Sequence, residues 1–319
     1  MSVPTSVVEK YRTVHSVDVA APAERVFGII ADVTNWPLHF APNVHTEQVE
    51  SDAGVERIRI WATANDEIKT WSSVRVLNPA DGRVSFRQDV STPPVEAMDG
   101  EWIVTPVDAA NSRLDLVHTF RAIDDDPAGI EWIHAALERN SASELDGIKR
   151  LAELGDQLDE LVFGFSDTVH VEGDGADVFD FLNRADLWPE RLPHVARLDL
   201  VEDLPGVQVM TMDTSTKDGS VHTTRSVRVC FAPNRIVYKQ TEVPALMTAH
   251  TGSWTIVRSG TGVDVTSRHD VTVRPDAVER ILGAGSTVAD ARAYIQRALS
   301  TNSTTTLRHA RDHAEGRRG

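Results

Sequence analysis

The chain has a single cysteine, Cys230, among 319 residues, which excludes an internal disulfide framework and a thiolate metal cluster. Cys230 lies in the strand-like run Ser226-Val227-Arg228-Val229-Cys230-Phe231, where a buried, inert thiol is expected. No run of about 18 apolar residues occurs, so no membrane-spanning helix is expected. No basic segment leading into an apolar stretch opens the chain, so no secretory signal is expected and the cytoplasm is the default compartment. Positive charge is scarce: 32 Lys and Arg stand against 48 Asp and Glu, a net charge of −16. A surface this acidic repels phosphate backbones and anionic headgroups, which excludes nucleic acid and membrane as expected partners. Glycine-rich phosphate loops, HExxH and GxSxG are absent. No His, Asp and Glu trio has ligand-like spacing, so no metal is expected.

What is present is repetition. Val26-Phe27 and Trp36-Pro37 return as Val178-Phe179 and Trp188-Pro189, each 152 positions later. Gly100-x-Trp102 returns as Gly252-x-Trp254 at the same offset, and Val74-Arg75-Val76 as Val227-Arg228-Val229 at 153. Arg83 and Gln88 reappear as Arg235 and Gln240. Solenoid units run to about 20–50 residues. This period is the length of a whole domain. The chain therefore reads as a tandem of one fold, with domains over residues 1–163 and 164–319.

Within the first copy, Thr13 to Ala20 alternate as a strand, and Pro22 starts a helix whose apolar face is Val26, Phe27, Ile29 and Ile30. Trp36 to Pro42 reads as a second short helix. Strand-like segments follow near 44–50, 55–63, 67–77, 82–91, 96–107 and 112–122, punctuated by Gly54, Asn65-Asp66, Pro93-Pro94 and Asn111-Ser112. From Pro127 to about Phe163 apolar residues recur at three- and four-residue steps, predicting one long helix. The second copy repeats this order, from Phe165 to a last long helix after Pro275. The predicted class is α+β: in each half a curved antiparallel sheet wraps a long C-terminal helix around an internal cavity. Asp124-Asp125-Asp126 and Arg317-Arg318 read as solvated charge runs.

Several residues, in their order, resemble the helix-grip fold of the Bet v 1/START-like superfamily, and more narrowly the aromatase/cyclases of bacterial type II polyketide synthases. They are Trp-Pro after the first helices, the strand Trp71-Ser72-Ser73-Val74-Arg75, and Met98 four residues before Trp102. Asn140-Ser141-Ala142-Ser143 and Asn302-Ser303-Thr304-Thr305-Thr306 in the two long helices complete the pattern. The tandem resembles the di-domain members. The resemblance implies a cofactor-free enzyme that folds a poly-β-ketone tethered to an acyl carrier protein, closes its first ring between carbons seven and twelve, and expels water to aromatise it. Some members take a fully ketonic chain and others one already reduced at carbon nine. It also implies other type II polyketide synthase components as partners. By the same resemblance, Ser73 with Arg75 and Ser226 with Arg228 anchor and polarise the substrate. A tyrosine carried by some single-domain members falls on Asn43 here, and near His194 in the second copy, which removes one acid of the family mechanism.

The chemistry of the residues fits that expectation. Ring closure places negative charge on oxygen, and a buried guanidinium stabilises it without losing its own proton. Residues i and i+2 of a strand face one side, so Trp71, Ser73 and Arg75 share a face, as do Thr224, Ser226 and Arg228. That face is either a pocket wall or solvent. Trp71 and Trp102, with Trp254 in the second copy, are candidate aromatic walls for a planar product, beside Met98. His118 and His269 hold matching places and are either proton shuttles or structural histidines. His194 and His250, found only in the second copy, form a candidate acid–base set of its own. Two other readings stay open: a hydrophobic-ligand or lipid carrier of the same fold, and a pair in which one domain reacts while the other is a scaffold.

Overall fold

The computed structural model describes residues 11–65, 67–215 and 221–316, so Asp66 and Arg317-Arg318 lie outside the described residues. The chain forms two compact units, Met1–Asp156 and Gln157–Gly319.

The first unit is built on β1 (Tyr11–Val19), β2 (Asn43–Asp52), β3 (Val55–Ala64), β4 (Glu67–Asn78), β5 (Arg83–Val90), β6 (Val95–Pro106) and β7 (Ser112–Ala122). They make one seven-stranded sheet in the order β1-β7-β6-β5-β4-β3-β2, with every described pairing antiparallel. Six strands follow the chain as a meander, and β1 closes the far edge against β7. Helices α1 (Ala23–Ala31) and α2 (Trp36–His39) fill the gap between β1 and β2. Val26, Ile29 and Ile30 give α1 a buried stripe at helical spacing.

The long helix α3 (Pro127–Leu154) starts where the sequence places it. The Asp126 carboxylate accepts from the Gly129 N–H at 2.9 Å, and Pro127 takes the first helical position. Its buried stripe, Ile133, Leu137, Leu145, Ile148 and Leu151, lies over the sheet. It ends earlier than the periodicity suggests. Gly155 adopts φ 57°, a left-handed value that stops the helix. Leu158 and Leu161, predicted to continue α3, belong to the short α4 (Gln157–Leu161), and Phe163 already lies in the next strand. Ile148 is fully buried, so Ile148→Ala is expected to cost about 2–5 kcal/mol in urea unfolding.

The second unit repeats the plan. Its strands are β8 (Val162–Val171), β9 (Val195–Leu204), β10 (Val207–Ser215), β11 (Val221–Phe231), β12 (Arg235–Glu242), β13 (Met247–Ser259) and β14 (Gly262–Val273), in the order β8-β14-β13-β12-β11-β10-β9. Its helices are α5 (Gly175–Asn183), α6 (Trp188–Arg191), α7 (Val278–Leu282) and α8 (Val288–Gly316). The helix predicted after Pro275 is thus broken, with Gly283 and Gly285 at φ 107° and 82° between its parts. Leu307, Ala310 and Ala314 of α8 share one buried apolar cluster with Met210, Ile236, Trp254 and Val265, which marks the face of the sheet turned towards the helix. Cys230 is half-buried rather than buried, and desolvation raises its thiol pKa. Among the described residues no helix is long and apolar enough to cross a membrane.

Candidate active site

The first unit holds an open cavity between its sheet and α3. Trp71, Ser73, Arg75, Met98, Trp102 and His118 all line it. Alternation along β4 brings the first three to the inner face, and antiparallel register carries the row onwards. Arg75 stands opposite Glu56 on β3 and Phe86 on β5, and Phe86 is followed by Gly100 and His118.

Arg75 is 1% exposed, so of its two sequence readings the interior one holds. Three elements hold its guanidinium. Nη1 is 2.9 Å from the Glu56 carboxylate. Nη2 donates to the Ile30 carbonyl at 2.9 Å. The plane lies 4.8 Å from the Trp36 ring centroid. Gln48 donates to the other Glu56 oxygen at 2.5 Å. Burial pulls the Arg75 pKa down to about 10, opposed by Glu56 and Asp32, so the charge persists at neutral pH. Its Nε hydrogen has no acceptor among the described residues. It is the donor left for a substrate oxygen, with Ser73, 3% exposed, two residues away.

His118 on β7 is buried and meets Phe86 edge-on at 5.4 Å. Desolvation, helped by His15, pulls its pKa down to about 3, so the imidazole is neutral, and its Nδ1 has no hydrogen-bond partner among the described residues. Trp102 stacks over Phe40 with centroids 6.5 Å apart. Met98 receives a long contact from the Gln88 amide, 3.6 Å to sulfur. Asn43, in the place of the family tyrosine, lines the cavity and donates to Thr46 Oγ1 at 2.8 Å.

One lining residue escapes sequence reasoning. Glu144 projects from α3 into the cavity, and burial pushes its carboxyl up to about 8. At neutral pH it is a protonated acid in a largely apolar chamber. The signal was present but indirect: Glu144 lies seven residues after Leu137 and four after Asn140, so a charged residue occupies the apolar stripe of the helix. Ser141, 1% exposed, also faces the cavity, and its hydroxyl has no partner among the described residues.

In the second unit Ser226 and Arg228 are 5% and 1% exposed. Arg228 Nη2 donates to the Leu182 carbonyl at 2.5 Å, and its guanidinium lies 5.2 and 5.7 Å from the Trp188 and Trp254 centroids. The cross-strand partner differs: where Glu56 faces Arg75, Gln208 faces Arg228. Gln208 instead donates to Glu202 at 2.9 Å. Trp254 and His250 lie on the face turned to α8. His250, 2% exposed, bonds to His269 at 3.0 Å rather than joining His194. His194 precedes β9, and among the described residues no hydrogen bond ties it to His250. Burial lowers its pKa, with His309 adding to the shift. Among the described residues no group of three His, Cys, Asp or Glu is placed to hold a metal ion.

Comparison with known proteins agrees with this geometry. The family described as polyketide cyclase / dehydrase and lipid transport matches residues 10–153 and again 171–292. The granaticin polyketide synthase bifunctional cyclase/dehydratase of Streptomyces violaceoruber is 45% identical over 99% of this chain and 97% of its own length. The actinorhodin counterpart of Streptomyces coelicolor is 43% identical over 94% and 96%. Among solved structures, the di-domain ARO/CYC BexL superposes with a TM-score of 0.86 at 51% identity, covering 96% of this chain and 99% of its own. The di-domain ARO/CYC StfQ of the steffimycin biosynthetic pathway gives 0.85 at 37% identity over the same shares. A repeated helix-grip unit, each with a buried strand arginine beside a serine, and full-length likeness to these proteins lead to one conclusion: the chain belongs to the polyketide cyclase/dehydrase family, as a di-domain aromatase/cyclase of the type II polyketide synthase kind.

Proposed function

We propose that the protein takes a poly-β-ketone held by an acyl carrier protein, closes its first ring between carbons seven and twelve by an aldol step, and removes water towards the aromatic ring. The observation that carries this reading is the cavity of the first unit, where a fixed cation, a neutral imidazole and a neutral carboxylic acid meet in one chamber walled by Trp71, Trp102 and Trp132.

Each group has a distinct task. An enolate oxygen or the attacked carbonyl binds the Nε hydrogen of Arg75, with the Ser73 hydroxyl as second donor. The indoles keep the chain folded, which brings nucleophilic and electrophilic carbons within reach. Neutral His118 accepts a carbon-bound proton, and the Glu144 carboxylic acid gives one to the departing hydroxyl. No cofactor takes part in these steps. An apolar chamber without such groups would suit a carrier; these four polar groups favour catalysis.

The test is reconstitution with a minimal type II synthase that makes the carrier-bound poly-β-ketone. The intact protein is expected to convert a mixture of spontaneous shunt products into a single first-ring aromatic series, and Ser73→Ala to lower its share several-fold. An unchanged product mixture with and without the intact protein would return the chain to the carrier reading.

A further inference from the structure

The two units diverge where their sheets face the long helix. In the first, register places Phe86, Met98 and Leu116 around His118; in the second the matching positions are Tyr238, His250 and Ser267 around His269. Three apolar side chains are thus exchanged for three polar ones about a shared histidine.

The polar groups form one hydrogen-bonded chain. Trp254 Nε1 donates to Ser267 Oγ at 2.9 Å, and Ser267 Oγ lies 3.2 Å from His269 Nε2. His269 Nδ1 lies 3.0 Å from His250 Nε2 and 3.0 Å from the Tyr238 hydroxyl. His250 Nδ1 closes the chain on Gln240 Oε1 at 2.9 Å. Its direction follows from the donor inventory. Gln240 Oε1 only accepts, so His250 carries its proton on Nδ1 and accepts on Nε2. His269 therefore carries its proton on Nδ1 and accepts from the Ser267 hydroxyl on Nε2. Every donor from Trp254 to His250 then has an acceptor. The Tyr238 oxygen shares the His269 N–H, and its own proton is left to point elsewhere. Burial keeps the pair neutral, His250 at about 3 and His269 at about 4, and raises the Tyr238 phenol.

Further facts point to a site rather than a packing solution. The first unit builds the same sheet from Phe, Met and Leu, so the fold does not need the polar set, and buried polar groups are costly unless fully paired. Ser267, His250 and His269 are 0%, 2% and 4% exposed, while Tyr238 at the end of the network keeps partial exposure. Gly252 makes room for that ring, as Gly100 does for Phe86 in the first unit: a Cβ at Gly252 would lie 2.4 Å from the phenol oxygen. Tyr238 stands directly opposite Arg228 in the β11–β12 pairing, whose Nε and Nη1 hydrogens have no acceptor among the described residues.

We propose that the second unit is a separate dehydration site, with Tyr238 as catalytic acid, Arg228 as oxyanion contact, and His269, His250, Ser267 and Gln240 as positioning residues. Its substrate class is a ring-closed β-hydroxy ketone, in its enol form, that still carries a carbinol after the first unit has removed one water. Arg228 holds the enol oxygen. As the enol O–H bond gives up its pair to re-form the carbonyl, the enol π pair becomes the new carbon–carbon double bond. The carbinol C–O bond breaks with its pair on oxygen, which takes the Tyr238 proton and leaves as water. The His269 N–H stabilises the transient phenolate until the enol proton returns to it. The net change is loss of one water.

This inference rests on the proposed function, and one experiment separates the two. With carrier-bound poly-β-ketone from a minimal type II synthase, Tyr238→Phe in the full chain should keep the ring-closure position of the intact protein. It should accumulate products one water heavier, with this second dehydration slowed about 10²-fold. His250→Met should lower the dehydration kcat several-fold at unchanged KM, and His250→Gln, which can still accept from His269, should restore part of it. Phe and Met are the first unit's own residues at these positions, and thermal melting checks folding; if Tyr238→Phe is unfolded, the His250 pair decides. Dehydration at the intact rate in these folded variants, or loss of ring position together with dehydration, overturns the separate site alone. An intact protein without effect on the products overturns the underlying reading.

Discussion

Arg75→Ala is expected to lose both first-ring control and several kcal/mol of stability. The guanidinium ties together β4, the Glu56 carboxylate of β3, the end of α1 through Ile30, and the Trp36 ring. Removing it strands Glu56, 4% exposed, without its cation. Breaking one side of a buried pair costs about 3–5 kcal/mol, because the remaining charge keeps its desolvation penalty. The double change Arg75→Met with Glu56→Gln removes both charges and should recover most of that loss in urea unfolding. It should still yield shunt products in the reconstituted synthase, since neither residue offers the cationic donors. Arg75→Lys keeps the charge but not the planar fork and should fall between them. Normal products from the stable double variant would show that Arg75 is structural only.

Glu144→Gln should slow the loss of water in the first unit's cavity by about 10²–10⁴-fold, the range for loss of a positioned general acid. The pH dependence gives a sharper reading. The carboxyl donates only while protonated, so the Glu144-dependent rate should hold below about 8 and fall as pH rises through that value. Stability moves with it. The folded pKa lies above the ordinary 4.5, so between 4.5 and about 8 the folded chain binds more protons than the unfolded one. Stability therefore declines as pH rises across that window, and Gln abolishes this decline. The variant should gain Tm relative to the intact protein at pH 8 over pH 5. An equal difference at both pH values would mean that Glu144 is ionised and solvated in the folded chain.

These two residues differ in how visible they are before folding. Arg75 announces itself through the repeat and through the alternation that sets it beside Ser73 and Trp71. Glu144 lies one residue past the Asn140–Ser143 stretch, and only its place on an apolar stripe marks it. The helix boundary shows a similar limit. Apolar spacing runs on through Leu158 and Leu161, but Gly155 at φ 57° ends α3, and the chain turns into α4 and β8. The histidines show the limit of counting. His194 and His250 share absence from the first copy, yet hydrogen bonding pairs His250 with His269, nineteen residues on.

The sequence by itself determined the tandem, the seven strands of each sheet and the start of α3. It also determined that Trp71, Ser73 and Arg75 share a face. All of these follow from local periodicity, turn residues and helix caps, which act over a few neighbouring positions. Only the tertiary structure decided that this face is the interior. The reason is physical: a strand arginine can enter a core only if distant groups satisfy it, and Glu56, Ile30 and Trp36 come from three other elements. The same holds for the chain from Trp254 to Gln240. Its members lie on three strands, and antiparallel register, which no single strand encodes, places them within hydrogen-bond distance.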